Sequence, residues 1–210
     1  MKIYLVRHGE TLWNKEEVFR GRKDIPLNDT GMIQAEKVGA HFAGITLARI
    51  VSSPLQRAVQ TAAAIGRTSG LPVETMEELA DINFGIWEGL SLRVVEERYP
   101  DQFDLWKRFP QKLQVSGGET LAMVRERASG SLAKLASFED GAIALVTHRV
   151  ICKMIVLSSL NIGDDHFWDL LYDPASVTLL EGQPGSFTLV FSNDTCHLKD
   201  LFSGTGYRDF

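Results

Sequence analysis

The chain has 210 residues, 44% of them hydrophobic, enough for one large core or a core with an insertion. Its formal net charge of -5 argues against a general nucleic-acid binder, since counterion release needs a concentrated basic surface. No basic segment leading into an apolar one opens the chain, and the longest apolar stretch, around Val150 to Leu160, is interrupted by Lys153 and two serines, so neither a secretory leader nor a membrane span is expected. Cys152 and Cys196 have no metal-ligand or redox spacing; they read as reduced thiols, and the expected location is the cytoplasm.

The opening "IYLVRHGET" is a short apolar run, Ile3–Val6, of the kind covered on both faces of a sheet, ending on Arg7, His8 and Gly9. "LNDTG" starts a helix at Asn28 or Asp29, with Met32, Ala35, Val38 and Phe42 at helical spacing. "ARIVSSP" reads as a second strand. Ser53, Pro54 and Gln56 have the spacing of a capping box, with Ser53 as cap and Pro54 at the first helical position. Leu55, Ala58, Ala62 and Ile65 would line that helix's buried face. A third strand is expected near Val73–Glu77.

From Leu90 to Gly118 prolines, aromatics and charges mix without a sheet signal, which predicts a helical lid or insertion at about 90–118 within one domain spanning 1–210. Leu121, Val124, Ala128, Leu132 and Leu135 then form a helical stripe. "AIALV" at 142–146 is another buried strand, followed by a helix over Val150–Leu160. Val177 and Leu179, a "GQPG" turn, and Phe187, Leu189 and Phe191 predict a hairpin at the sheet edge.

Alternating strands and helices predict an α/β fold: a mostly parallel sheet with helices on both faces, and ligand sites beyond the strands' carboxyl ends. Reactive residues do follow strands. Arg7, His8 and Asn14 follow the first, Arg57 opens the helix after the second, Asp81 and Glu88 follow the third, and Thr147 and His148 follow "AIALV". Two histidines, two arginines, an amide and a carboxylate suit one phosphoryl group.

With "LVRHGETLWN", "SSPLQRAVQTA", "LADINFGIWEGL", "GGETL" and "LVTH" in that order, the sequence resembles the histidine phosphatase superfamily, which includes the cofactor-dependent phosphoglycerate mutases. The resemblance runs from Ile3 to Leu198 and implies a three-layer α/β/α sandwich. It also implies that His8 is the nucleophile that becomes phosphohistidine, that Arg7, Arg57 and His148 hold the non-bridging oxygens, and that Asn14 is a further phosphate-side donor. The proton-donating acid falls on Asp81, where the family usually has glutamate. No metal and no cofactor is implied.

Two more departures stand out: Arg149 replaces the usual glycine after the second histidine, and Arg20, before Gly21, stands where small or amide residues are common. Arg149 must point away or add a cation to the pocket. Arg20, Gly21 and Phe84 are candidates for contact with the non-phosphate part of a substrate. Glu88 is expected to be structural, Glu10 and Thr11 to support the loop, and His41 and His166 to be bystanders. His197 is divided between tail packing and lining the pocket.

The mutases carry a longer insertion after the acid motif, so the short lid favours hydrolysis. The segments "RYPDQFDLWKRFPQKLQVSGGETL" and "FWDLL…NDTCHL" are most similar to the metal-independent phosphoserine phosphatases and their broad-specificity relatives. The expected partner is a small phosphorylated metabolite, with no nucleic acid and no membrane; a homodimer is left open. Phosphoglycerate mutase activity, α-ribazole phosphate phosphatase activity and a non-catalytic phosphate-binding regulator are the alternatives.

Overall fold

The structure is a computed structural model that describes residues 1–136 and 141–201. Strand β1 (Lys2–Arg7) extends the opening apolar run by one residue at each end. A single-turn helix α1 (Leu12–Lys15) follows, too short to leave a periodic signal. Helix α2 (Asp29–Phe42) begins where expected, with Asn28 Oδ1 accepting from the Gly31 backbone N–H at 2.8 Å.

Strand β2 (Leu47–Ser52) leads to helix α3 (Gln56–Ser69). Here the expected capping box does not form: Leu55, not Ser53, precedes the helix, and Pro54 lies outside it. Ser53, just past β2, still bonds to the neighbouring strand, its N–H donating to the Val146 carbonyl at 2.9 Å. The helix start is held instead by Asp24, which accepts from the Gln56 backbone N–H at 2.7 Å and from its side-chain amide at 3.1 Å. Capping from a distant loop satisfies the same orphan donors that a local serine would.

Strand β3 (Val73–Thr75) is shorter than predicted. The 90–118 segment forms α4 (Leu92–Arg98) and α5 (Pro100–Arg108). Val95, Phe103 and Trp106 are buried in the main core, so these helices pack as part of a layer. Helix α6 (Leu121–Ala136), strand β4 (Ala142–Thr147), helix α7 (Arg149–Ser159) and the hairpin β5 (Val177–Gln183) and β6 (Ser186–Asp194) complete the described chain. Among the described residues no helix is long and apolar enough to cross a membrane.

The six strands run in the order β3-β2-β4-β1-β5-β6. The first four are parallel, and β5 and β6 are antiparallel at the edge. Strand alternation divides the core. Ile3, Leu5, Ile143 and Leu145 face α6, α7 and the inserted helices; Tyr4, Val6, Ala144 and Val146 face α2 and α3. On the α3 side the interface is built from Ala58, Ala62 and Ile65. The result is a helix–sheet–helix sandwich, as the sequence predicts.

Candidate active site

Register brings the two histidines together. Strands β1 and β4 pair in parallel with Arg7 opposite Thr147, so the next residue of each strand is a histidine at the same level. Their rings lie 5.1 Å apart, both buried. His8 Nδ1 lies 2.6 Å from the Gly9 carbonyl, which can only accept, so Nδ1 carries the proton and Nε2 is left with its lone pair. Burial first, then Arg57, Arg7 and Arg20, hold the His8 pKa well below the usual histidine value. The ring is therefore neutral at pH 7.

His148 is lowered likewise by burial and then by Arg57. Its Nδ1 accepts from Arg57 Nε at 3.2 Å, and its Nε2 lies 2.7 Å from Ser53 Oγ. Arg57, from the first turn of α3, uses its two edges differently. Nη1 donates to the Lys23 carbonyl and Nη2 to the Gly21 carbonyl, each at 2.8 Å. The Nε–Nη2 edge faces His148 and Asp81, with Nη2 to Asp81 Oδ2 at 3.3 Å. Burial lowers the Arg57 pKa to about 10, against the attraction of Asp81, and the guanidinium stays charged at neutral pH. Arg7 is fully buried, and its Nη1 donates to the Tyr172 carbonyl. Asp81 Oδ1 accepts from the Ile82 N–H at 3.0 Å, and Oδ2 lies 3.8 Å from His148 Nδ1. The shorter acid thus reaches Arg57 and lies beside His148.

Several further side chains support the site, and of these Thr147 was marked by its place at a strand end. Thr61 Oγ1 accepts from the Gly9 N–H at 3.1 Å and donates to the Arg57 carbonyl at 2.8 Å, tying the His8 loop to α3. Thr147 Oγ1 donates to the Leu79 carbonyl at 2.7 Å, anchoring the chain that carries Asp81. Arg127 of α6 grips that chain through the carbonyls of Glu78, Ala80 and Asp81, and pairs with Glu119 at 2.8 Å. Glu119 in turn accepts from the Asn83 N–H at 2.9 Å. The "GGETL" match pointed to this neighbourhood without assigning Glu119 or Arg127 a task.

Glu88 is structural as expected, accepting from the backbone N–H groups of Arg22 at 2.8 Å and Phe84 at 3.2 Å. Gly21 has φ +50, and a Cβ there would fall 2.1 Å from Glu88 Oε1, so only glycine fits where its carbonyl holds Arg57. Asn14 is buried on α1, its Oδ1 accepting from the Thr11 N–H and hydroxyl, both at 2.8 Å, which leaves its amide nitrogen as the donor end. Glu10 accepts from Asn28 at 2.8 Å and supports the loop.

The cavity beside His8 is lined by Asp81, Arg20, Arg149, Phe19 and Phe84. The Phe84 ring packs edge-on against Phe19 and Trp106, at 5.0 and 5.4 Å, giving the cavity an aromatic wall. Arg149 does not point away; it lines the cavity. His197 takes the packing alternative: its Nε2 meets the Ala175 carbonyl at 3.0 Å, and its ring lies 5.1 Å from His41. His166 is exposed beside Asp169 at 2.7 Å. A larger hollow of about 600 Å³, at the opposite end of the sheet, is lined by Met1, Lys2, Ala142 and Glu181, with no histidine or arginine among its described lining residues.

The profile of the histidine phosphatase superfamily (branch 1) matches residues 3–195. The chain is 30% identical over 203 residues to phosphoserine phosphatase 1 of Hydrogenobacter thermophilus, covering 96% of each. It superposes on the solved structure of YhfR from Bacillus stearothermophilus with a TM-score of 0.89 at 30% identity, covering 94% of this chain and 98% of that one. A phosphoserine phosphatase variant from Entamoeba histolytica, solved with phosphoserine, gives a TM-score of 0.83 at 28% identity, with the same coverage of 94% and 98%. The chain belongs to the histidine phosphatase superfamily, branch 1.

Proposed function

We propose that this histidine phosphatase hydrolyses a small phosphomonoester through a phosphohistidine on His8, without a metal ion. The observation that carries the reading is His8 itself: its Nδ1–H is committed to the Gly9 carbonyl, so the free electron pair sits on Nε2 of a neutral, buried imidazole among arginines. Arg7, Arg57 and His148 supply the donors for the non-bridging oxygens, and Asn14 adds an amide. Such positioning and charge stabilisation are what phosphoryl transfer needs most.

In the first half-reaction Nε2 of His8 bonds to phosphorus as the ester P–O bond breaks. The departing oxygen receives its proton from Asp81. In the second, water attacks the phosphorus, Asp81 takes a proton from it, and the P–N bond breaks to release phosphate. Arg57 turns its Nε–Nη2 edge from His148 and Asp81 onto the phosphoryl group. Ser53 donates its hydroxyl hydrogen to His148 Nε2 in that state, which puts the ring proton on Nδ1 for a phosphoryl oxygen. Phosphoserine, the ligand of the Entamoeba relative and the namesake substrate of the Hydrogenobacter one, is one such small phosphomonoester.

The test is phosphate release from a panel of phosphomonoesters by purified protein dialysed against excess chelator. Release should persist unchanged. Activity lost to chelator and restored by magnesium would overturn the metal-free reading. Efficient interconversion of 2- and 3-phosphoglycerate with little free phosphate would overturn hydrolysis.

A further inference from the structure

The peptide between His8 and Gly9 is fixed at both ends. Its N–H donates to Thr61 Oγ1, and its carbonyl, on His8, accepts from the Ala175 N–H at 3.1 Å. A peptide unit is planar, so two such contacts settle its orientation. That orientation bears on the chemistry. The next carbonyl along the chain, on Gly9, takes the His8 Nδ1–H and leaves Nε2 as the nucleophilic nitrogen.

The Ala175 N–H comes from an uncommon turn. Asp173, Pro174, Ala175 and Ser176 close a β-turn through the Ser176 N–H and the Asp173 carbonyl at 3.1 Å, and Ala175 has φ +59. A positive φ at the third residue is the mark of type II, where glycine or asparagine is usual. Alanine prefers the type I form, in which the Pro174–Ala175 peptide is turned over and its N–H points the other way. The form observed is the one that hands this N–H to His8. A left-handed residue other than glycine persists where its surroundings over-determine it.

Those surroundings come from the last strand and the short helix after it. Asn193 of β6, itself left-handed at φ +54, accepts from the Asp173 N–H through Oδ1 at 2.7 Å and donates from Nδ2 to Asp173 Oδ2 at 2.8 Å. Asp194 Oδ1 accepts from the Cys196 N–H at 2.8 Å at the start of the helix Cys196–Leu201. His197, on that helix, reaches back with Nε2 to the Ala175 carbonyl, and since a carbonyl can only accept, this nitrogen donates. The same segment serves Arg7, whose backbone N–H donates to the Ser176 carbonyl at 3.1 Å and whose Nη1 donates to the Tyr172 carbonyl. The first residue of the turn is thus held by Asn193 and the third by His197, and the N–H between these two holds faces the nucleophile's backbone.

We propose that His197 and Asn193 are positioning residues for the nucleophile: they lock the Asp173–Ser176 turn so that the Ala175 N–H sets the His8–Gly9 peptide and, through the Gly9 carbonyl, the aim of His8 Nε2. The proposal deepens the phosphatase reading above and rests on it for the reaction served.

The experiment reads His8 itself by NMR of protein labelled with ring-¹⁵N histidine, alongside single-turnover phosphoryl transfer to the enzyme. The His8 Nδ1–H, assigned by its absence from His8→Gln, should give a slowly exchanging proton signal in the unmodified protein. His197→Leu should speed that proton's exchange and slow transfer by about tenfold or more, toward the ~10²-fold cost of a misplaced reacting group. The loss should be the same for an alkyl ester and for p-nitrophenyl phosphate, because both use one nucleophile. His197→Gln, whose amide offers a donor in place of Nε2, should largely restore both readings. Asn193→Gly permits the left-handed backbone and removes only the side-chain bonds; it should act as His197→Leu does, and it decides the question if His197→Leu does not fold. A His8 signal or a transfer rate left unchanged in the folded variants would overturn the proposal. So would a loss that His197→Gln fails to restore, or one that depends on the leaving group. If the unmodified protein hydrolyses no ester, the phosphatase reading fails by itself, and the His8 proton signal alone decides the positioning role.

Discussion

The positions of His8, Arg7, Arg57 and His148 were legible in the sequence because each stands at a strand end or in a first helical turn, where a parallel sheet must present it, whereas Asp81, six residues beyond β3, was marked by the family motif. Ser53 was not legible: its spacing to Gln56 is that of a cap, but its hydroxyl is taken by His148, a partner 95 residues away that no local pattern encodes. The role of Asp81 is the sharpest question at this scale. An alkoxide needs a proton to leave, and a general acid typically contributes ~10²–10⁴-fold. Asp81→Asn should slow an alkyl phosphomonoester by about that factor in single-turnover release of the alcohol, and should slow p-nitrophenyl phosphate much less, because nitrophenolate departs unaided. Equal losses on both esters would show that Asp81 only shapes the cavity. The same comparison on Glu88→Gln should show no leaving-group dependence, since Glu88 holds backbone N–H groups.

The strands and long helices were readable as elements because their faces are buried and so leave a hydrophobic period. Their connections were not. The segment carrying Asp81 has little regular structure of its own and is held from outside: Thr147 of β4 binds the Leu79 carbonyl, and Arg127 of α6 binds three successive parts of it. Side chains that bind backbone carbonyls can serve any sequence, so no spacing announces them. Arg127→Met keeps the side chain's bulk and removes these bonds and the Glu119 pair. Denaturant unfolding should show a loss of about 2 kcal/mol, from several hydrogen bonds each worth about 0.5–1.5 kcal/mol net. The kcat on alkyl esters should fall with it, because Asp81 loses its anchor. A variant of unchanged stability and rate would show that the Thr147 contact alone fixes the segment.

For the molecule as a whole, burying two neutral histidines beside arginines couples folding to pH. Both His8 and His148 have native pKa values well below the ordinary 6.5, burial being the leading cause. The unfolded chain therefore takes up protons that the native state refuses. Their stabilising contribution is present above about pH 6.5 and is lost as pH falls from there toward the depressed native values. Each histidine adds a slope of about 1.4 kcal/mol per pH unit inside that window. Urea unfolding between pH 7 and 5 should show stability falling, and His148→Gln should make the decline shallower; an identical slope in the variant would contradict the assignment. The same refusal of protons keeps the His8 lone pair available for attack on phosphorus at neutral pH. Rapid acid-sparing quench of the protein with ³²P-labelled phosphomonoester, followed by peptide mapping, tests that attack. The label should reside on Nε2 of His8, form and decay at rates compatible with turnover, and vanish in His8→Ala together with several orders of magnitude of activity. Label on another residue, or near-normal turnover by His8→Ala, would contradict the account.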